Sequence, residues 1–306
     1  MHERIILAAG SLDRAANFRR DDVWMAARLQ DSRTRFVPVW RDHNLVIAGD
    51  DPSVVTFGGP RAQMLTEIAS EVALLGVVGE IAYFAADISH HESANLTEII
   101  GEAEFTDIRQ ARILLDDGTG ALLLQARGLL YWHRHNRFCA NCGAPTDSAH
   151  AGYARVCSSP PCGREHFPRL NPAIIVLVTR QTEAGDVCLL GHKTEWPEGR
   201  FSTIAGFVEP GETIEEAVAR EVMEETGVTV TESTYQASQP WPFPASLMLA
   251  FRACATSEVI NVDNQEMAEA RWFSRTQIRN GEGGLRLTTG GSISRWLLET
   301  WLAEGK

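Results

Sequence analysis

Apolar and polar positions divide the chain into three stretches of different rhythm. In residues 1–135 strand and helix periods are mixed. Phe36–Trp40 and Leu45–Ile47 flank Arg41-Asp42-His43-Asn44 and predict a hairpin. Val72–Val78 and Ile81–Ala85 predict further strands, and Ala121–Trp132 a helix with Ala121, Leu122, Leu124, Leu129 and Trp132 as its apolar surface. Residues 136–168 are rich in cysteine. From 169 to 306 strands and helices alternate. Ala173–Thr179 is a nearly continuous apolar run, suited to a buried strand, and Glu183–Asp186 turns it into Val187–Leu190. Phe201–Ile204 leads into the next motif, Leu247–Cys254 and Ala270–Phe273 predict strands, and Ser274 a cap on a small helix. In Ser292–Leu302, Ile293, Trp296, Leu297, Thr300 and Trp301 share a helical face that suits a sheet or a subunit partner. The fold class is α/β, preceded by a mixed α+β domain.

The period breaks most informatively in Gly206–Val228, GFVEPGETIEEAVAREVMEETGV. Pro210-Gly211 make a turn, Thr213 suits an N-cap, and Glu215 and Glu216 suit the first helical turn. Gly227 follows the pattern as a helix C-terminus. On the stripe begun by Ile214 and Val218, the next positions are Glu221 and Glu225, with Glu224 beside them. Carboxylates stand where the period asks for leucine. A solvated acidic helix end is the plain reading, but the register with Ile214 and Val218 argues against it, because burying unpaired carboxylates is costly. A hard divalent cation, Mg2+ or Mn2+, resolves the repulsion and bridges to substrate phosphates. Arg220 can pair with Glu212 and hold the loop to the helix.

Two further patterns carry chemistry. Cys139 and Cys142, then Cys157 and Cys162, form two knuckles fourteen residues apart, a spacing that presents four thiolates to a structural Zn2+; free thiols are the alternative. Gly143 and Gly163 suit the turns, and the second knuckle is longer than usual. Cys188 and Cys254 lie in apolar stretches and read as buried small hydrophobes. In Ser238–Ser246, SQPWPFPAS, prolines alternate with Gln239, Trp241 and Phe243. This is a stiff, extended loop that either covers the core or stacks rings against a nucleotide.

Composition sets limits. A net charge of −12 over 306 residues argues against broad nucleic-acid binding through basic surface. No apolar run reaches membrane-spanning length and Met1–Gly10 lacks the apolar core of a secretion signal, so the expectation is a cytoplasmic protein without membrane contact. His90-His91 reads as a surface loop and Arg19-Arg20-Asp21-Asp22 as a solvated run.

The 206–228 stretch resembles the signature of the Nudix hydrolases, filled at Gly206, Glu212, Arg220, Glu221, Val222, Glu224, Glu225, Gly227 and Val228. The resemblance implies an α/β/α sandwich and metal-dependent cleavage of a nucleoside diphosphate linked to another moiety. SQPWPFPAS resembles the hallmark of the NADH pyrophosphatases within that group, and Gln125–Cys139 and Phe167–Ile174 are similar to that family's flanks of a zinc ribbon. Membership implies an N-terminal domain (1–135), a ribbon (136–168) and a catalytic domain (169–306). It implies hydrolysis of NADH and NAD+, removal of NAD caps from RNA, and a homodimer. Carried onto this chain, it makes Ala205 (through its carbonyl), Glu221, Glu225 and Glu266 metal-binding, and Glu212, Arg220 and Glu224 members of the catalytic cluster. Phe167, Gln239, Pro240, Trp241, Pro242, Phe243, Pro244, Ala245 and Ser246 would line the substrate, Phe167 keeping a ring where relatives often carry tyrosine. The alternatives are a Nudix enzyme for ADP-ribose or another nucleoside diphosphate derivative, or a non-catalytic sensor, which predicts a degraded signature. The basic residues of the ribbon region (Arg134, His135, Arg137, Arg155, Arg164 and Arg169) offer a nucleic-acid module as a third option, but the resemblance implies a ribbon that stiffens the domain junction and dimer.

Overall fold

A computed structural model describes residues 12–47, 53–92, 96–109, 119–262, 266–288 and 290–304. Met1–Gly10, Asn264 and Gln265 therefore lie outside the described residues. The chain divides into two compact units. One runs to Leu170 and also takes Pro242–Ala245; the other holds Asn171–Trp241 and the chain from Ser246 onward.

The first unit begins with α1 (Asp22–Gln30), capped by the Asp21 side chain on Trp24 N–H. Strands β1 (Arg35–Trp40) and β2 (His43–Ile47) form the predicted hairpin, with Arg41 and Asp42 at φ 47° and 69° in its two-residue turn. After β3 (Ser53–Val54) and α2 (Gly59–Ile68) come β4 (Glu71–Val78), β5 (Ile81–Asp87), α3 (Thr97–Ile100) and β6 (Glu104–Thr106). Among the described residues the sheet order is β3-β2-β1-β5-β4, with β6 on β2. Helix α4 (Thr119–His135) runs past the predicted bounds at both ends. It covers one sheet face, where Leu123, Ala126 and Leu130 meet Val37, Val39 and Leu75; Phe36, Leu65, Leu74 and Phe84 fill the other. Each such side chain contributes about 1.5–3 kcal/mol by leaving water. The ribbon strands β7 (Thr146–Ala149), β8 (Ala154–Cys157) and β9 (Glu165–His166) belong to this unit.

In the second unit β10 (Asn171–Thr182) and β11 (Gly185–Lys193) extend the predicted strands at both ends. There follow β12 (Arg200–Phe201), β13 (Ile204–Phe207), α5 (Ile214–Thr226), β14 (Val230–Trp241), β15 (Ser246–Ala255), β16 (Met267–Ser274), α6 (Arg275–Asn280), β17 (Arg286–Leu287) and α7 (Ile293–Glu304). The sheet order is β14-β15-β10-β11-β16, with β13 antiparallel to β10. Alternate residues of β10 feed opposite faces. Ile174, Val176 and Val178 pack on Ala217, Val218 and Val222 of α5, while Ile175 and Leu177 pack on Ile293, Leu297 and Trp301 of α7. Helices on both faces of one sheet make the α/β/α sandwich. Ser274 caps α6 through a capping box with Gln277.

Two expectations change. Ser238–Ser246 is not a free-running loop. Gln239, Pro240 and Trp241 are the end of β14, paired with Met248, Leu247 and Ser246 of β15, and only 242–245 turn. Proline is tolerated there because β14 is an edge strand. Cys254 is exposed rather than buried. It lies two residues beyond Arg252, which already pairs with Glu304 in the last turn of α7, so that helix no longer covers the strand.

Candidate active site and zinc centre

The site in the second unit starts from one glycine. Gly206 on β13 pairs with Ile174, and a Cβ there would stand 1.9 Å from the Glu221 carboxyl carbon. A side chain at 206 would displace the Glu221 carboxylate, so glycine leaves that carboxylate its place against β13. The helix begins at a capping box, in which Thr213 Oγ1 accepts from Glu216 N–H at 3.2 Å and Glu216 accepts from Thr213 N–H at 2.8 Å. It ends at Gly227 with φ 70°. Between these caps Glu225 is buried at 5% exposure, Glu221 is half-buried and Glu224 is exposed.

Arg220 organises the loop. It donates to Glu212 at 2.7 and 2.9 Å, to Glu221 at 2.9 Å, to Glu224 at 3.0 Å and to the Phe207 carbonyl at 2.9 Å. These hydrogen bonds hold the Glu212 carboxyl down to about 2. Glu225 is treated differently. Neither of its carboxylate oxygens has a hydrogen-bond partner, and its neighbouring cation, Lys193 Nζ, stands at 3.5 Å. Burial pushes its carboxyl up to about 7, against the pull of Lys193. Burial likewise raises Glu221, with Arg220 opposing. Glu266, at the start of the segment leading into β16, is exposed and lies 3.6 Å from the same ammonium. A buried carboxylate with no hydrogen bond and one ion pair, near two more carboxylates, is a donor set that fits a hard divalent cation. Ala205, adjacent to Gly206 on β13, is the further oxygen donor proposed from sequence.

The expected substrate residues divide. Gln239 is fully buried and spent on the backbone, donating to the Gly291 carbonyl at 2.8 Å and accepting from Ile293 N–H at 2.9 Å. Ser246 is buried, Pro240 exposed and Trp241 half-buried. Pro242–Ala245 fall in the first unit, where Arg127 Nε donates to the Pro242 carbonyl at 2.8 Å. The Arg127 and Arg109 guanidiniums lie 4.7 and 5.3 Å from the centre of the Phe243 ring. Phe167, also of the first unit, is 53% exposed. Lys193, Arg109 and Arg127 were not singled out in the sequence: Lys193 and Arg109 stand outside any motif, and Arg127 lies within the 125–139 flank with no pattern that marks it.

In the ribbon the four thiols converge. All four sulfurs lie within 4.8 Å of one another, with Cys139–Cys162 at 3.8 Å and Cys142–Cys157 at 3.5 Å. A tetrahedron of sulfurs about 2.3 Å from zinc has edges of about 3.8 Å, so the group fits that ion. Among the described residues these cysteines alone draw three or more ligand atoms so close; the glutamates stay further apart. The longer second knuckle closes through a turn, with Cys162 N–H and Gly163 N–H both on the Ser159 carbonyl at 2.9 Å. Gly143 and Gly163 have φ of 77° and 49°. The Arg164 backbone N–H and the Asn141 amide hold the Cys162 thiol down to about 6, and His166 Nε2 lies 3.2 Å from Cys139 Sγ.

A sandwich whose α5 carries carboxylates against a glycine strand defines a Nudix fold, and the comparisons agree. Residues 169–289 match the NUDIX domain, 134–167 the NADH pyrophosphatase zinc ribbon domain, and 33–132 the NADH pyrophosphatase-like rudimentary NUDIX domain. The chain belongs to the Nudix hydrolases, in the branch of the zinc-ribbon NADH pyrophosphatases. It is 42% identical over 212 residues to the NAD-capped RNA hydrolase NudC of Mycobacterium bovis, covering 66% of each chain. It is 38% identical over 221 residues to the human NAD-capped RNA hydrolase NUDT12, covering 70% of this chain and 47% of that protein. The alignments thus span just under two thirds of the mycobacterial relative's length and about half of the human one. A NUDIX hydrolase structure from Nitrosomonas europaea is 24% identical, with a TM-score of 0.43, over 55% of this chain and 92% of that one.

Proposed function

We propose that the chain hydrolyses the diphosphate bond of NADH and NAD+, giving AMP and the reduced or oxidised nicotinamide mononucleotide, and removes NAD caps from RNA 5′ ends. The observation that carries this reading is Glu225, a buried carboxylate without hydrogen bonds within a complete Nudix signature. The names of the relatives support the substrate class. Glu221, Glu225, Glu266 and the Ala205 carbonyl would hold Mg2+ or Mn2+. Such an ion, when bound, neutralises diphosphate charge and acidifies a bound water. Arg220 fixes the Glu212 loop and holds Glu221 and Glu224 by hydrogen bonds. Trp241 supplies ring surface for the nucleotide. Gln239 acts by locking the end of β14 to the start of α7. Zn2+ on Cys139, Cys142, Cys157 and Cys162 shapes the ribbon. The protein works as a cytoplasmic homodimer, segmented at 1–135, 136–168 and 169–306.

The test is chromatography of products from NADH, NAD+, ADP-ribose and NAD-capped RNA, each with Mg2+ and with Mn2+. Release of AMP and reduced mononucleotide from NADH supports the reading. Cleavage of ADP-ribose alone overturns the substrate, and no cleavage in any lane leaves the sensor.

A further inference from the structure

Five carboxylates of the site, Glu212, Glu221, Glu224, Glu225 and Glu266, face two cations, and the two are held in opposite ways. Arg220 is pinned by hydrogen bonds to three of the carboxylates and a carbonyl, so it cannot leave without freeing the loop. Lys193 has no hydrogen bond to any of them, only ion pairs at 3.5 Å to Glu225 and 3.6 Å to Glu266. Among the described residues it is the sole cation within ion-pair distance of either carboxylate. It ends β11, where the pairing with β16 slips between His192 and Lys193, and such a slip re-aims a side chain. Its flexible four-carbon stem, partly exposed, gives it somewhere to go.

We propose that Lys193 is a built-in placeholder cation. Its ammonium sits between Glu225 and Glu266 in the metal-free protein, and the divalent ion takes that place by displacing it. Metal loading is then an exchange of one cation for another of higher charge. Lys193 sets the metal concentration at which the site fills, while Arg220 stays in place throughout. The inference rests on the reading that Glu225 and Glu266 are metal ligands.

The test is Mn2+ binding, followed by electron paramagnetic resonance without substrate, for the wild-type protein and for Lys193→Met, Lys193→Arg and Glu225→Gln. Removing a positive charge about 4 Å from the ligands is expected to tighten Mn2+ binding by about tenfold in Lys193→Met, with a larger Mn2+-induced rise in Tm. Lys193→Arg, which keeps the charge, is expected to stay within about threefold of wild type. An unchanged Kd in Lys193→Met would show that the ammonium does not compete. A weaker one would show that it helps to hold the ion. Either overturns the inference if Glu225→Gln still weakens binding. Mn2+ affinity unmoved by Glu225→Gln would instead remove the metal-site reading itself, and the inference with it.

Discussion

Both units bury carboxylates beside a sheet, and they treat them in opposite ways. In the first, Asp87 is 1% exposed yet accepts from Ser89 N–H at 3.0 Å and from Arg134 at 3.1 Å. Asp42 takes Arg134 and Arg127, two residues seven apart on one face of α4. Glu71 accepts from Arg155 at 3.1 Å beside the buried His133, whose Nε2 bonds the Gly152 carbonyl at 2.8 Å and whose Nδ1 meets Arg155 at 2.9 Å. In the second unit Glu225, just as buried, has no hydrogen bond at all. Buried charge is tolerated when it is paired and hydrogen-bonded. For Asp42, Glu71 and Asp87 the first unit has closed the account, as a scaffold would, which suits the match of residues 33–132 to a rudimentary NUDIX domain. The second unit leaves that of Glu225 open and is poised to take a ligand.

The sharpest way to break this contrast is Glu225→Gln. Turnover is expected to fall by on the order of a thousandfold or more, because the carboxylate left without a hydrogen bond is the one the chemistry requires. The fold stays intact, and without metal the midpoint of chemical denaturation does not drop, since a desolvated charge has been removed. Near-normal cleavage of NADH by this variant would sink the metal assignment.

The opposite result is expected from Arg134→Met in the first unit. It strands Asp87 without its guanidinium and costs roughly 2–4 kcal/mol, the range for breaking a buried pair, tempered here by the partial exposure of Arg134. Urea denaturation reads this directly. A loss below about 0.5 kcal/mol would mean that the network is ornamental and that the two units do not differ as argued.

The pH dependence separates the units again. Burial raises Glu225 to about 7, so in the folded, metal-free protein it binds a proton that the unfolded chain has already released. Its contribution is therefore present below about 4.5 and lost as pH rises through about 7. For Glu71 burial pushes upward, but His133 and Arg155 hold the carboxyl below its ordinary value. That contribution is present above the ordinary glutamate range and is lost as pH falls through the lowered value. Denaturation midpoints in chelator should thus fall on both sides. Glu225→Gln flattens the neutral limb and Glu71→Gln the acid limb; an unchanged neutral limb in Glu225→Gln would contradict the desolvation of that carboxyl.

How much of this was legible in the sequence depends on the range of the interaction. The α5 cap, its glycine stop and the stripe of glutamates are local, spaced by helical geometry, and could be read directly. The α/β class followed from apolar runs on β10 and β15, whereas the sandwich was implied by the resemblance of 206–228 to the Nudix signature. The Cys157–Cys162 turn, Lys193 and the Arg127 clamp were not legible, because each depends on a contact made by folding. Arg127 and Pro242 are 115 residues apart, and no local pattern marks an arginine that will cover Phe243. Lys193 looks like any lysine at a strand end until the pairing with β16 slips. Cys254 misled because an apolar neighbourhood in sequence does not say where the covering helix stops.

The smallest expected effect tests whether the site depends on its helix cap. Thr213→Ala removes one side of the capping box, for which about 1 kcal/mol is typical. The loop before α5 has a second tether, since Arg220 binds Glu212 twice and the Phe207 carbonyl once, and Glu212 accepts from Glu209 N–H at 3.0 Å. If those bonds alone fix the loop, Thr213→Ala lowers the melting temperature slightly and leaves the Mn2+ dissociation constant within about twofold, because the lost cap frays the first turn while Glu221 and Glu225 lie two to three turns further on. Loss of Mn2+ affinity in step with stability would mean that the carboxylates are aligned from the helix start, and that the open account of the second unit is kept open by the whole helix rather than by Gly206 and Arg220.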